Sequence, residues 1–186
     1  MLLFEHPGKD NTARVLAVSL DKAQELACPI IIATTTGFTL QSLINLAQAK
    51  GLEQSIIAVS NVAGFKEKGS LSMPEDVRLA FEAKGIPVIR AAHALSAGER
   101  ALSTDTGGIY PLEVAAKTLR MFGQGVKVGV EIAIMAMDTG LLPYGKPVVA
   151  IGGSAHGADA ALVLTPSYTA SMFDTKIHEI LCKPRL

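Results

Sequence analysis

The chain has 186 residues, near the usual size of one domain, and 49% of them are hydrophobic, enough for one continuous core. Seventeen basic and seventeen acidic side chains cancel, and no stretch gathers Lys or Arg into a patch, so neither nucleic acid nor an anionic membrane is expected as a partner. The longest apolar runs, Ile30–Ile32 and Ile132–Met137, fall far short of the ~20 residues that cross a bilayer.

Glu5, His6 and Pro7 follow the first residues at once, without the basic start and long apolar stretch of a secretory signal, so a cytoplasmic location is expected. Cys28 and Cys182 lack Cys-x-x-Cys spacing and a nearby His that would complete a zinc site. They are expected as buried, reduced thiols, with a disulfide between them left open.

From Asn11 to Ala27 the apolar residues Val15, Leu16, Leu20, Ala23, Leu26 and Ala27 recur at helical spacing, with Asp10 or Asn11 as a cap and Pro29 as the stop. Ile30–Ala33 follows as a short β-branched run, the mark of a strand buried on both faces. A threonine-rich loop, Thr34-Thr35-Thr36-Gly37-Phe38-Thr39, comes directly after it. Leu40 to Lys50 is a second helix closed by Gly51, and Ile56–Val59 is the next strand. A loop with Gly64, Phe65, Gly69 and Met73 leads to Pro74, which opens a helix running to Lys84, with Gly85 as its stop.

Pro87–Arg90 makes a third strand, and Ala94 to Gly108 reads as a long ordered loop with a helical piece. Pro111 to Phe122 is a helix, and Val126 to Met137 is another, apolar on nearly every side and therefore buried. Val148–Ile151 and Ala161–Leu164 are the fourth and fifth strands, while Ile177 to Cys182 fits a strand or a short helix. No repeat or linker divides the chain, so residues 1–186 are expected to form one α/β domain with a mainly parallel sheet.

The threonine loop carries the sharpest chemical signal. It puts one glycine and four hydroxyls where a strand hands over to a helix, and a helix N-terminus offers free N–H groups and the positive end of its dipole to a phosphate. The plainer alternative is that the threonines only cap the helix and close the turn.

Thr34-x-Thr36-Gly37-x-Thr39 resembles the Thr-x-Thr-Gly-x-Thr loop with which flavodoxins hold the phosphate of flavin mononucleotide. Over nearly its whole length, the order of elements with the Gly152-Gly153 turn resembles a free-standing pyruvate kinase C-terminal domain. Asn61–Phe65, His93–Ser96, Val130–Ile132 and Gly152–Ser154 are similar to a small, poorly characterised prokaryotic family of that fold. The resemblance implies a three-layer α/β/α sandwich around a five-stranded sheet of order 3-2-1-4-5, with strand 5 antiparallel. It also implies phosphate at the threonine loop: a phosphorylated sugar effector in pyruvate kinase, flavin mononucleotide in the stand-alone family. The catalytic barrel of pyruvate kinase and its nucleotide and metal motifs are absent, so kinase activity is not expected.

On this reading the cofactor is flavin mononucleotide (FMN), held at the reversal between strands 1 and 4. The expected cofactor-binding residues are Thr34, Thr35, Thr36, Gly37, Phe38, Thr39, Asn61, Gly64, Phe65, Met73, His93, Gly152, Gly153 and Ser154, with Phe65 or Met73 over the ring. His93 suits a proton donor or a merely structural role. Ser154 with His156 is poor geometry for a hydrolase. Glu131 and Asp138, seven apart, are expected to cap backbone groups or to pair with Arg90 or Arg120, or to face a ligand. Gly123-x-Gly125-x-x-x-Gly129 imitates a dinucleotide fingerprint with the wrong spacing and is read as a turn, and no metal site is proposed.

Three functions stay open: a flavin protein, possible as an oxidoreductase; a non-enzymatic sensor for a phosphorylated sugar or similar metabolite; and an assembly domain using the helix at 126–137 in a homo-oligomer.

Overall fold

A computed structural model describes residues 1–96 and 98–185. The chain opens with a short strand, Leu2–Phe4 (β1), and a single 3₁₀ turn at Lys9–Asn11. Thr12–Leu26 (α1) follows, without the expected side-chain cap: Asn11 Nδ2 donates instead to the His6 carbonyl at 2.8 Å. The helix closes at Ala27, whose left-handed φ of 48° turns its N–H back onto the carbonyls of Ala23 and Gln24 before Pro29 is reached.

Alternation then takes over: Ile30–Ala33 (β2), Phe38–Ala49 (α2), Ile56–Ser60 (β3), Glu75–Glu82 (α3) and Val88–Arg90 (β4). The long middle connection contains Glu99–Thr106 (α4), and Pro111–Arg120 (α5) and Gln124–Asp138 (α6) come next. Val148–Gly152 (β5), Ala160–Thr165 (β6) and Lys176–Pro184 (β7) complete the sheet.

The sheet has seven strands rather than the expected five, in the order β1-β7-β6-β5-β2-β3-β4. The five strands read from the sequence form the contiguous run β4-β3-β2-β5-β6. The two additions lie at its far edge: β7 pairs antiparallel with β6, and β1 pairs parallel with β7. Because β6 is antiparallel to β5 as well, the reversed strand is flanked on both sides and does not end the sheet.

Side chains alternate between two cores, as a strand buried on both faces requires. Ile30 and Ile32 join Leu16 and Leu20 of α1, Leu40 and Leu43 of α2 and Phe81 of α3. Ile31, Ile57 and Val59 point the other way, onto Val130, Ile134 and Met137 of α6. The result is a mixed sheet between two helical layers. Among the described residues no helix is long and apolar enough to cross a membrane.

Two expectations about α6 change. Gly123, Gly125 and Gly129 do not form a turn: Gly123 is the N-cap, and the other two stand inside the helix against β5 and β6. A β-carbon on Gly129 would lie 2.9 Å from Leu162 Cδ1, and one on Gly152 would lie 2.9 Å from the Gly129 nitrogen and collide with the Gly125 carbonyl oxygen. The glycines let helix and strand backbones touch. The helix is therefore used up as core and is not free to serve an oligomer interface.

Candidate functional site

The chain runs from β2 outward to β4, then returns to β5 on the other side of β2. Loops leaving the carboxyl ends of β2 and β5 consequently diverge, and a crevice opens between them.

The threonine loop forms one wall. The Thr34 N–H donates to the Val59 carbonyl at 2.9 Å, extending the β2–β3 pairing by one residue. Thr34 Oγ1 accepts from the Gly37 N–H at 3.1 Å, and Thr39 Oγ1 donates to the Ala33 carbonyl at 2.8 Å. Two of the four hydroxyls thus build the loop itself. Gly37 has a φ of 99°, and a β-carbon there would lie 2.9 Å from Phe81 Cε2, so the turn needs glycine twice over. At the head of α2, the N–H groups of Thr35, Thr36, Phe38 and Thr39 have no protein acceptor among the described residues.

The opposite wall is the loop after β5. Asp159, fully buried, accepts the N–H groups of Gly8 at 3.0 Å and Ser154 at 3.2 Å, while Thr12 Oγ1 accepts from the Ala158 N–H at 3.0 Å. These bonds tie the loop to the N-terminal segment and bring Lys9 to the crevice, where its ammonium sits 4.6 Å over the Phe38 ring.

Between the walls is a cavity of about 740 Å³, within the range that admits drug-sized ligands. Of the expected residues, Thr34, Thr35, Thr36, Phe38, Thr39, Asn61, Phe65, His93, Gly153 and Ser154 line it. Four do not. Met73 is fully buried in the core on the α1–α3 side of the sheet and covers nothing in the cavity. Gly152 is pinned beneath α6, Gly37 is closed off by Phe81, and Gly64 stands in the loop behind Phe65.

Phe65 stacks on His93, with ring centroids 5.3 Å apart and planes 14° from parallel. Ala33, Val59, Val128, Ile132 and Met135 supply an apolar bed beside this stack.

The sequence gives no warning of the cavity's charge. Lys9, Lys66, Arg100, Arg120 and Lys127 all line it, together with His93 and His156, against a single carboxylate, Glu131. That carboxylate is committed: buried on α6, it is paired with Lys127 one turn away and accepts the Leu95 N–H at 3.1 Å. Glu131 therefore caps backbone as expected, but its cation is Lys127 rather than Arg90 or Arg120. Arg90 pairs with Glu75 at 3.1 Å, and Asp138 accepts the Thr169 N–H at 2.9 Å, away from the cavity.

Burial holds the Lys127 ammonium below its usual pKa despite the pull of Glu131, and Arg120 and Arg100 push the same way as burial. His93 is also held below its ordinary 6.5, chiefly by burial; Glu131, 3.7 Å from Nδ1, opposes this while Lys127 and Arg100 reinforce it.

Ser60 is the other residue that the sequence does not single out. It is 3% exposed, lines the cavity, and its hydroxyl has no partner among the described residues. A buried hydroxyl left unpaired costs free energy, which a ligand in the cavity would recover. Neither Ser60 nor the converging cations leaves a local pattern, since they are contributed by segments scattered from residue 9 to residue 127. No hydrogen bond joins Ser154 to His156 among the described residues, so a serine hydrolase pair is not formed. Cys28 and Cys182 are both free and buried, and no group of three or more His, Cys, Asp or Glu among the described residues could hold a metal.

Fold and site together define an α/β protein with a cation-lined cavity at the carboxyl edge of its sheet. No known protein-family model matches the chain.

Proposed function

We propose that this chain binds a phosphorylated ligand, flavin mononucleotide, across the β2/β5 crevice, and that it is a stand-alone relative of the pyruvate kinase C-terminal domain. The observation that carries the reading is the row of unpaired N–H groups at Thr35, Thr36, Phe38 and Thr39, facing the same cavity as the apolar bed and the Phe65–His93 stack.

The residues present fit the cofactor. The N–H groups and the Thr35 and Thr36 hydroxyls hold the phosphate without a lysine in contact, and Lys9 adds charge at the same end. Phe65 offers its ring to an isoalloxazine, and the unpaired Ser60 hydroxyl and Asn61 offer hydrogen bonds to its polar edge. His93, kept neutral by burial, orients Phe65 and can carry a proton at the rim of the cavity. Bound there, the flavin would supply hydride or one-electron transfer, which makes a flavin-dependent oxidoreductase the reaction class. The apolar bed favours a flavin over a phosphorylated sugar, which would leave Ile132 and Met135 facing hydroxyls.

An absorbance spectrum from about 300 to 550 nm, taken as purified and again after FMN addition and desalting, tests the reading. A retained flavin band that Thr36→Ala weakens supports it. A colourless protein that sugar phosphates stabilise thermally, and flavin does not, replaces it with the sensor function.

A further inference from the structure

The cavity's cations come from several elements, and the phosphate reading uses only Lys9. Lys9 stands over Phe38 beside the threonine loop, whereas Arg100, Arg120 and Lys127 come from α4, α5 and α6, and the two arginines also line the groove that adjoins the cavity. Glu131 balances Lys127 and accepts the Leu95 N–H, and it pairs with neither arginine. The two carboxylates that line the adjoining groove have other partners: Glu99 accepts the Leu112 N–H at 2.8 Å, and Glu113 pairs with Lys117 at 2.7 Å.

Arg120 is oriented by its Nε donating to Gln124 Oε1 at 2.7 Å, and its terminal nitrogens make no hydrogen bond among the described residues. Arg100 has no ion-pair or hydrogen-bond partner for its guanidinium there. The two exposed guanidiniums line one space beside the Lys127–Glu131 pair with no carboxylate partner among the described residues, and the fork geometry of Arg suits a planar carboxylate.

We infer that Arg100 and Arg120, beside the Lys127–Glu131 pair, form a second anion subsite, which takes the carboxylate of a small organic acid substrate next to the ligand on the threonine loop. The inference rests on the cavity of the proposed function but not on the identity of the flavin. An organic acid in this position lies against the same Ile132 and Met135 surface as the first ligand, so its carbon skeleton is brought next to the proposed cofactor.

The test is calorimetric titration of the full chain in low-salt buffer with oxalate, malonate and succinate, with and without saturating FMN. One carboxylate is expected to bind per chain in both states. Arg100→Gln and Arg120→Gln are each expected to weaken it tenfold or more while changing FMN affinity less than twofold, with partial recovery in Arg100→Lys. Thr36→Ala is expected to show the reverse pattern. Carboxylates that do not bind, that compete with FMN, or that ignore the arginine substitutions overturn the subsite while leaving the flavin reading intact. Arginine-dependent carboxylate binding in a protein that takes no FMN upholds the subsite and removes the flavin instead.

Discussion

Thr36 and Thr39 look equivalent in the sequence, three residues apart in one loop, but they do different work. The Thr39 hydroxyl holds the Ala33 carbonyl at 2.8 Å, so Thr39→Ala leaves that acceptor short of a partner and is expected to cost about 1 kcal/mol in a urea melt. Thr36 makes no such bond, and Thr36→Ala is expected to leave the melt unchanged while weakening phosphate-ester binding. The thiols follow the same logic of surroundings. Burial pushes the Cys182 thiol up to about 12, and raises Cys28 too, so neither supplies thiolate at neutral pH. Iodoacetamide is expected to leave the native protein unlabelled and to modify both cysteines in urea; rapid native labelling would contradict the buried positions.

At the scale of elements, α6 does the most. Its glycines let it lie on β5 and β6, and Gly152→Ala, which drives a β-carbon into the Gly125 carbonyl, is expected to cost about 1–3 kcal/mol by denaturant titration. The same helix carries the Lys127–Glu131 pair, both side chains 4% exposed. Lys127→Met strands the carboxylate and is expected to cost about 3 kcal/mol, the low end for a buried pair because the cavity admits solvent. Lys127→Met combined with Glu131→Gln should recover much of this, since the glutamine carbonyl can still accept the Leu95 N–H. A double variant no more stable than Lys127→Met would show that the pair is not the source of the loss.

Over the whole molecule, a balanced charge total conceals an uneven distribution, and pH acts on it. His93 is held below its ordinary 6.5, so as pH falls through that value the unfolded chain takes up a proton that the folded chain refuses. The stability linked to His93 is therefore complete above pH 6.5 and declines as pH falls toward the folded pKa. Melting temperatures measured from pH 7.5 to 5 are expected to fall less steeply in His93→Asn than in the parent protein.

The sequence by itself determined what depends on near neighbours. The continuous apolar runs of Ile30–Ala33 and Ile56–Val59, buried on both faces, the helical periods on either side, and the positive φ at Gly37 are all local, and strands alternating with helices already dictate a mainly parallel sheet. Only the tertiary structure decided the rest. Leu2–Phe4 is too short to show a period and becomes a strand because β7 offers it an edge, and the 123–129 glycines look like a turn until β5 presses against them. Met73, which a loop position suggested for the cavity, turns inward because the core on the α1–α3 side lies beneath it. The cations were the least legible feature. Lys9, Lys66, Arg100, Arg120 and Lys127 are far apart in the chain, and the Coulomb field of a site depends on distance through space rather than along the sequence.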